Sequence, residues 1–418
     1  MKHTARIRLP VLLFNFTLLF LLLPVPARAL YEWQGETGSF ELHGLIRGFA
    51  IAYEYPKNDF FYEEESVSGA AAIARLLMQG QAGEHLGFKI NVYQTYIPAS
   101  LASDQNNMDT SLDVERSSVL EWSFSDDEYV HFAIDQLNVF WSNNRIDLTV
   151  GRQPINLATT FYFTPNDFFA PFAAQTFYRV YKPGVDAVRG EVQLGSFSQL
   201  SLINVLGYKQ DPDSDTGWSE GSESDRASYV SRISTVIYDF EWALIGGVVR
   251  EANIIGGSIQ GELFKWIGVR AEGHVADPDD PQKDAFSELS VGVEHRWESS
   301  LDLRVEQYYH GNGADSVSDY AATLIAADGE SVYLGRSYTA LGAGYELTPL
   351  LNTQMLVITN LIDHSYLLSF HFLYSLSDEA ELAFNFGIPI GKEPEGTEIE
   401  NEFGLYPYSM NVEVRCYF

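Results

Sequence analysis

The last nine residues constrain this chain more than any other stretch. Read in twos from the end, Phe418, Cys416, Val414, Val412 and Met410 form an apolar row, with Tyr417, Arg415, Glu413 and Asn411 forming a polar row between them. A period of two is a β-strand with one oily and one wet face. A strand charged on one face that ends flush on an aromatic carboxy terminus suits a transmembrane barrel, where lipid-facing and lumen-facing residues alternate.

The amino terminus points to the same compartment. Lys2, Arg6 and Arg8 precede an apolar run from Val11 to Leu23, broken only by Asn15 and Thr17. Pro24 and Pro26 end it, and Ala27-Arg28-Ala29 offers small residues for cleavage. Residues 1–29 read as a removable signal and 30–418 as a single domain. The run is short for a helical span, and no later segment is continuously apolar over such a length. An exported chain without a helical span is still able to cross a membrane if it closes into a barrel.

Together these features resemble the outer-membrane β-barrel proteins of Gram-negative bacteria, whose assembly machinery reads such a terminal strand. The resemblance implies an outer-membrane location, Phe418 as the assembly signal, and lipid, lipopolysaccharide and the barrel-assembly machinery as partners. One departure is Cys416, which stands where an aromatic is usual, with Tyr417 beside it.

Composition agrees. Aromatics are 14% of the chain, enough to furnish girdles at both membrane interfaces. The single Cys excludes a disulfide framework, cysteine-based metal sites and haem attachment. The formal charge of −31 argues against nucleic acid and favours cations. Histidines are scattered, and no phosphate loop, dinucleotide fingerprint or nucleophile elbow is present, so no enzyme is expected.

The fold class expected is all-β, an antiparallel up-and-down barrel of about eighteen strands, within a range of sixteen to twenty. Nineteen strand-sized windows can be drawn, but both ends of a bacterial barrel lie on one side, so the count must be even. The window at fault is placed before Ile146, and Val114–Phe124 reads equally as a loop helix.

Alternation assigns the lumen. Leu289, Val291 and Val293 oppose Glu288, Glu294 and Arg296, while Leu303 and Val305 oppose Asp302, Arg304 and Glu306. Val269 and Ala271 oppose Arg270 and Glu272, and Glu381 lies opposite Leu382 and Phe384. With Arg189, Glu413 and Arg415 these are the expected pore-lining residues. Charges of both signs on neighbouring strands need water, so the lumen is expected to be an aqueous channel. The acids slightly outnumber the bases, which predicts a weak preference for cations. The same alternation fits a soluble sandwich with one solvated face, or a barrel that sheathes a partner protein, and a homo-oligomer stays open.

The most distinctive stretch runs from Gly151-Arg152-Gln153 to Gly184-Val185-Asp186-Ala187. Between them lies a loop of about thirty residues rich in aromatics, a length that usually signals function. Phe161, Tyr162, Phe163, Asn166, Asp167, Phe168, Phe169 and Tyr178 are its constriction candidates. A strand ending in Gly-Arg-Gln, a long loop and a Gly-Val-Asp-Ala strand is similar to a group of outer-membrane porins that includes alginate-export-like channels. Either the loop folds into the mouth and narrows it, or its aromatics pack on the rim. The acidic lining counts against a polyanion or phosphate-type cargo, which needs rings of Arg or Lys. Arg152 falls in phase with lipid-facing Ile146, Leu148 and Val150, so a bulge must turn it inward or it must snorkel.

Asp211, Asp213 and Asp215 alternate like the opening of a calcium loop. The pattern wants Gly one residue before Gly217 and Glu where Ser222 stands, so Ca2+ is weighed there against a solvated acidic surface.

Overall fold

The computed structural model describes residues 30–62, 64–98, 114–124, 128–211, 214, 216–326 and 333–418. The proposed signal, Asp213 and Asp215 lie outside them. Among the described residues there are twenty strands, and eighteen of them close an antiparallel barrel.

In chain order the barrel strands begin β2 (Gly38–Glu54), β3 (Ser66–Ala82), β4 (Leu86–Pro98), β6 (Glu128–Ser142), β7 (Ile146–Gln153) and β8 (Val185–Gly195). They continue as β9 (Ser198–Gln210), β10 (Trp218–Ile237), β11 (Phe240–Val249), β12 (Ala252–Leu263), β13 (Ile267–Pro278) and β14 (Phe286–Arg296). The last six are β15 (Asp302–His310), β16 (Ser337–Thr348), β17 (Leu351–Asn360), β18 (Tyr366–Ser377), β19 (Ala380–Ile390) and β20 (Tyr408–Tyr417). Each pairs with its successor, and β20 returns to β2 in register from Leu45↔Tyr417 to Glu54↔Tyr408. Val114–Phe124 is the window that does not cross. It forms a 3-10 turn at Ser118–Leu120 and a short strand β5 (Glu121–Phe124) that extends the edge of β6 where β7 has ended.

Two further departures from the sequence reading concern length. A short strand β1 (Tyr31–Gln34) pairs with Ser39–Leu42 of β2, just below the end of β20. β10 also begins as early as Trp218, close behind the 211–215 stretch, so that Ser222 lies in a strand. The long connections all leave one rim. At the other rim no connection exceeds five residues, and tight pairs such as Tyr238-Asp239 turn with φ 54° and 64°. Positive φ at both central residues matches the twist of a hairpin.

The outer face is an apolar belt. On β14, Leu289, Val291 and Val293 are 41–49% exposed, whereas Ser290 on the inner face is fully buried. Trp141, Trp242, Phe264 and Trp297 ring the short-turn rim, and Trp122, Tyr229, Tyr309 and Tyr408 ring the other. These are the surfaces a bilayer and its two interfaces cover. No described helix is long and apolar enough to cross a membrane.

Candidate functional site

The loop after β7 is rooted by a buried charge cluster. Gly151, at φ +115°, bends the end of β7 where its paired strand leaves no room for a Cβ. Arg152 then turns away from lipid and is 1% exposed. Its guanidinium donates to both oxygens of Asp186 (2.9 and 3.1 Å), to Glu121 (3.3 Å) and to the Ser117 and Ile134 carbonyls. Gln153 donates to the Ala187 carbonyl at 3.1 Å. Arg116 ties the same cluster to Asp135 (2.8 Å), which also holds Arg75 (2.8 Å).

From that root, residues 154–184 run around the inner wall as a collar. Ile155, Leu157, Phe169 and Ala170 pack against Ile203, Val205, Val230, Ile245 and Ile254. Two wall carboxylates then hold the backbone. Glu272 of β13 accepts the N–H groups of Thr159, Thr160 and Asn166, and Glu306 of β15 accepts those of Phe161, Tyr162 and Phe163. Asn166 also donates its side-chain amide to the Gly257 carbonyl at 3.1 Å. Backbone N–H groups of a buried segment need acceptors, and these two carboxyl groups supply them.

The rings complete the circuit. The Phe161 ring lies under Arg270 (4.1 Å) and Arg304 (4.2 Å). Tyr162 sits at Gly342 of β16, where any Cβ would collide with its hydroxyl. Phe163 stacks on Tyr308 at 4.8 Å, and Phe168 meets His274 edge-on at 5.0 Å. Phe177 stacks on His371 of β18 at 5.0 Å. Tyr178 takes Arg47 (4.0 Å) and Arg415 (4.3 Å), and Tyr181 takes Arg75 (4.7 Å). Two internal ties join the limbs of the collar. Lys182 bonds Asp167, and Arg179 donates to the Phe161, Ala174 and Thr176 carbonyls. Burial pushes the Asp167 carboxyl up and the Lys182 ammonium down, each opposed by the other's charge.

Most of the pore-lining residues read from alternation have partners on this inner face. Glu294 lies between Arg270 (3.2 Å) and Arg304 (3.4 Å), and Arg304 also bonds Asp302 (2.8 Å). Glu413 lies between Arg47 (2.5 Å) and Arg415 (2.8 Å), and Glu381 is 3.4 Å from Arg415. Glu288 pairs with His310 at 3.0 Å. Arg189 stands 3.9 Å from Glu191, and Arg296 pairs with Glu346 out at the short-turn rim. Sequence reasoning missed Arg47, Arg75, Arg116 and Glu121. Arg47 and Arg75 share inward rows with Leu45, Ile51 and Ile73, apolar because the lumen there is packed rather than wet. The Asp211 N–H donates to the Gly217 carbonyl of its own turn (2.8 Å), and no metal-holding group of His, Cys, Asp or Glu occurs among the described residues.

No protein-family model matches the sequence, and no curated protein is similar to it. Solved structures share the fold at low identity. The chain is similar to OccAB3 of Acinetobacter baumannii at 12% identity, with TM-score 0.56 over 91% of this chain and 99% of that one. It is similar to a BenF-like porin from Pseudomonas fluorescens Pf-5 at 10% identity, with TM-score 0.57 over 91% and 98%. It is also similar to Pseudomonas aeruginosa OccK2 (OpdF), solved in complex with glucuronate, at 9% identity, with TM-score 0.55 over 91% and 96%. The fold of this chain is that of an eighteen-stranded porin barrel.

Proposed function

We propose that the chain is an outer-membrane channel for small hydrophilic solutes or ions, with the 154–184 collar as its constriction. The observation that supports this best is the capture of six collar N–H groups by Glu272 and Glu306. Those bonds hold the loop inside the lumen, where it narrows the path. Lipid, lipopolysaccharide and the barrel-assembly machinery are the partners this reading implies. Deleting residues 161–178 tests it. Single-channel conductance in planar bilayers should rise in a barrel that remains heat-modifiable, and unchanged conductance would defeat the constriction.

The preference expected is weakly for cations and belongs to the mouth rather than the collar. At the collar the wall acids are engaged by backbone N–H groups or by arginines, whereas the outer connections keep exposed Asp and Glu. A focused negative mouth raises the local cation concentration. A second reading concerns the collar itself. Arg47 and Arg75, each paired with an acid but still partly exposed, stand beside it, and the similar OccK2 structure holds glucuronate, which favours a small carboxylate-bearing solute there. The similarity to alginate-export-like channels concerns residues 151–153 and 184–187, which root the loop and leave the cargo open.

A further inference from the structure

On the outer side of the collar, the connection between β19 and β20 (391–407) folds back inside the rim. Phe403 and Tyr406 join the cluster that holds Phe163, Tyr308 and Tyr338. Next to them Glu402 is 1% exposed. Its Oε2 accepts from the Tyr338 hydroxyl of β16, from Asn360 Nδ2 of β17 (2.7 Å) and from the Gly335 N–H (3.2 Å). Its own N–H donates to Asp363 in the β17–β18 turn at 2.7 Å. One residue therefore ties four segments of the rim together.

A second layer sits on the first. Asn58, from the β2–β3 connection, donates to the Pro394 and Gly396 carbonyls (2.9 and 3.0 Å), and Tyr62 donates to the Leu405 carbonyl. Phe61 packs with Ala314, Leu334, Ile399 and Tyr320, the first residue of helix α1 (Tyr320–Ala326). The groups facing the Glu402 carboxyl are the phenols of Tyr338, Tyr320, Tyr333 and Tyr406 and the carboxylate of Asp363. Arg179, the collar cation that acts on Tyr333, gives its guanidinium to carbonyls, and Arg336 gives its own to Asp315 and the Gly313 carbonyl. Among the described residues no ion pair reaches Glu402; the Leu334 backbone N–H also faces its carboxyl, but Oε1 makes no hydrogen bond of ordinary geometry. An ionised carboxylate is costly in such a place, and a neutral carboxyl is not.

We infer that Glu402 is a proton-operated latch: neutral, it holds the 391–407 connection docked inside the rim, and ionised, it releases it. Burial, with the Asp363 charge adding to it and the hydrogen bonds opposing, pushes the docked carboxyl up to about 7 from an ordinary 4.5. Released into water, the group regains its ordinary value. The sign follows. The docked form binds the extra proton, so the proton's contribution to docking is full below about 4.5 and is lost as pH rises to about 7. Over that window the ratio of docked to released falls by up to about tenfold per pH unit.

The test needs no conductance. Thr397 is exposed on the same connection and takes a nitroxide without touching the latch. Thr397→Cys in a Cys416→Ser chain, folded into lipid vesicles, is labelled and read from about pH 4.5 to about 7.5, across the window in which the docked proton is lost. The mobile fraction should climb with pH in the otherwise unaltered chain and stay low and flat in Glu402→Gln, whose neutral amide mimics the protonated acid. Tyr338→Phe, which removes a donor that favours the docked anion, should widen the rise in mobile fraction between about pH 4.5 and about pH 7.5. A label insensitive to pH, or one that titrates equally in Glu402→Gln, overturns the latch. Where Glu402→Gln does not fold, a rise between those pH values no larger in Tyr338→Phe than in the parent overturns it instead. A titrating label on a barrel that never conducts counts against the channel and in favour of the latch.

Discussion

Arg152 and Asp186 close the collar at its root. They face each other in register across β7 and β8, with both carboxylate oxygens met by the guanidinium at 2.9 and 3.1 Å. The 154–184 excursion thus leaves and rejoins the barrel wall at one ion pair. Removing one partner of a buried pair strands the other charge, at a cost of about 3–5 kcal/mol. Arg152→Met should destabilise most, because it abandons Asp186 and also strips donors from Glu121 and two carbonyls. Asp186→Asn should cost less, since Arg152 keeps its other acceptors. Urea-gradient unfolding in detergent, with protease resistance of the collar, checks the order. Equal stability of the two variants and the parent would show that the pair does not root the loop.

Glu272 and Glu306 each carry three backbone N–H groups of the collar. Replacing either by Gln removes one acceptor oxygen and turns an amide donor toward the loop N–H groups, at about 1–3 kcal/mol for a buried group left unsatisfied. The double variant Glu272→Gln, Glu306→Gln should give noisier and larger single-channel currents than either single change. Currents as quiet as the parent's would mean that the apolar packing alone fixes the collar.

Phe418 and Gly44 form the seam. Their backbones exchange hydrogen bonds of 2.6 and 2.9 Å, and a Cβ on Gly44 would stand 2.0 Å from the Phe418 ring. Gly44→Leu should therefore lower the yield of heat-modifiable barrel severalfold, as deletion of Phe418 should. If Gly44→Leu assembles normally while the Phe418 deletion does not, the ring acts through the assembly machinery alone.

The ion preference should depend on salt. Exposed charges at the mouth are screened within about 8 Å at physiological ionic strength and within about 3 Å at 1 M. The reversal potential should favour potassium over chloride in dilute salt and approach neutrality in strong salt. Chloride preference in dilute salt would place selectivity at the collar, beside Arg47 and Arg75, instead.

Strand number and facing were legible because lipid writes a strict period of two on β14, β15 and β19. The exceptions have physical causes. Val114–Phe124 alternates like a strand, yet its Glu115, Arg116 and Glu121 are engaged by Arg250, Asp135 and Arg152 inside the wall, and it does not cross. Inner rows that meet the collar are apolar, as at Leu45, Val230 and Leu356, so the rule of a polar lumen fails where the lumen is filled. Arg152 faces lipid by phase alone, and the positive φ of Gly151 removes it from that phase. The aromatic content of the loop left open a narrowed mouth or packing on the rim, and nothing in linear order shows that Glu272 and Glu306, far along the chain, hold it. Glu402 carries no local signature either, because its burial depends on four segments meeting.

The seam has a kinetic consequence. Every barrel pairing but one joins strands that follow each other along the chain, whereas β2 and β20 join Leu45 to Tyr417. Local hairpins form in microseconds, but bringing together ends this far apart carries a loop-closure entropy on the order of 5 kcal/mol. Until that last zipper closes, the growing sheet presents two raw edges able to pair with any other strand. Assembly of this barrel is therefore governed by a single late event, and a catalyst that holds one edge while the other arrives would act on the slowest step of the whole process.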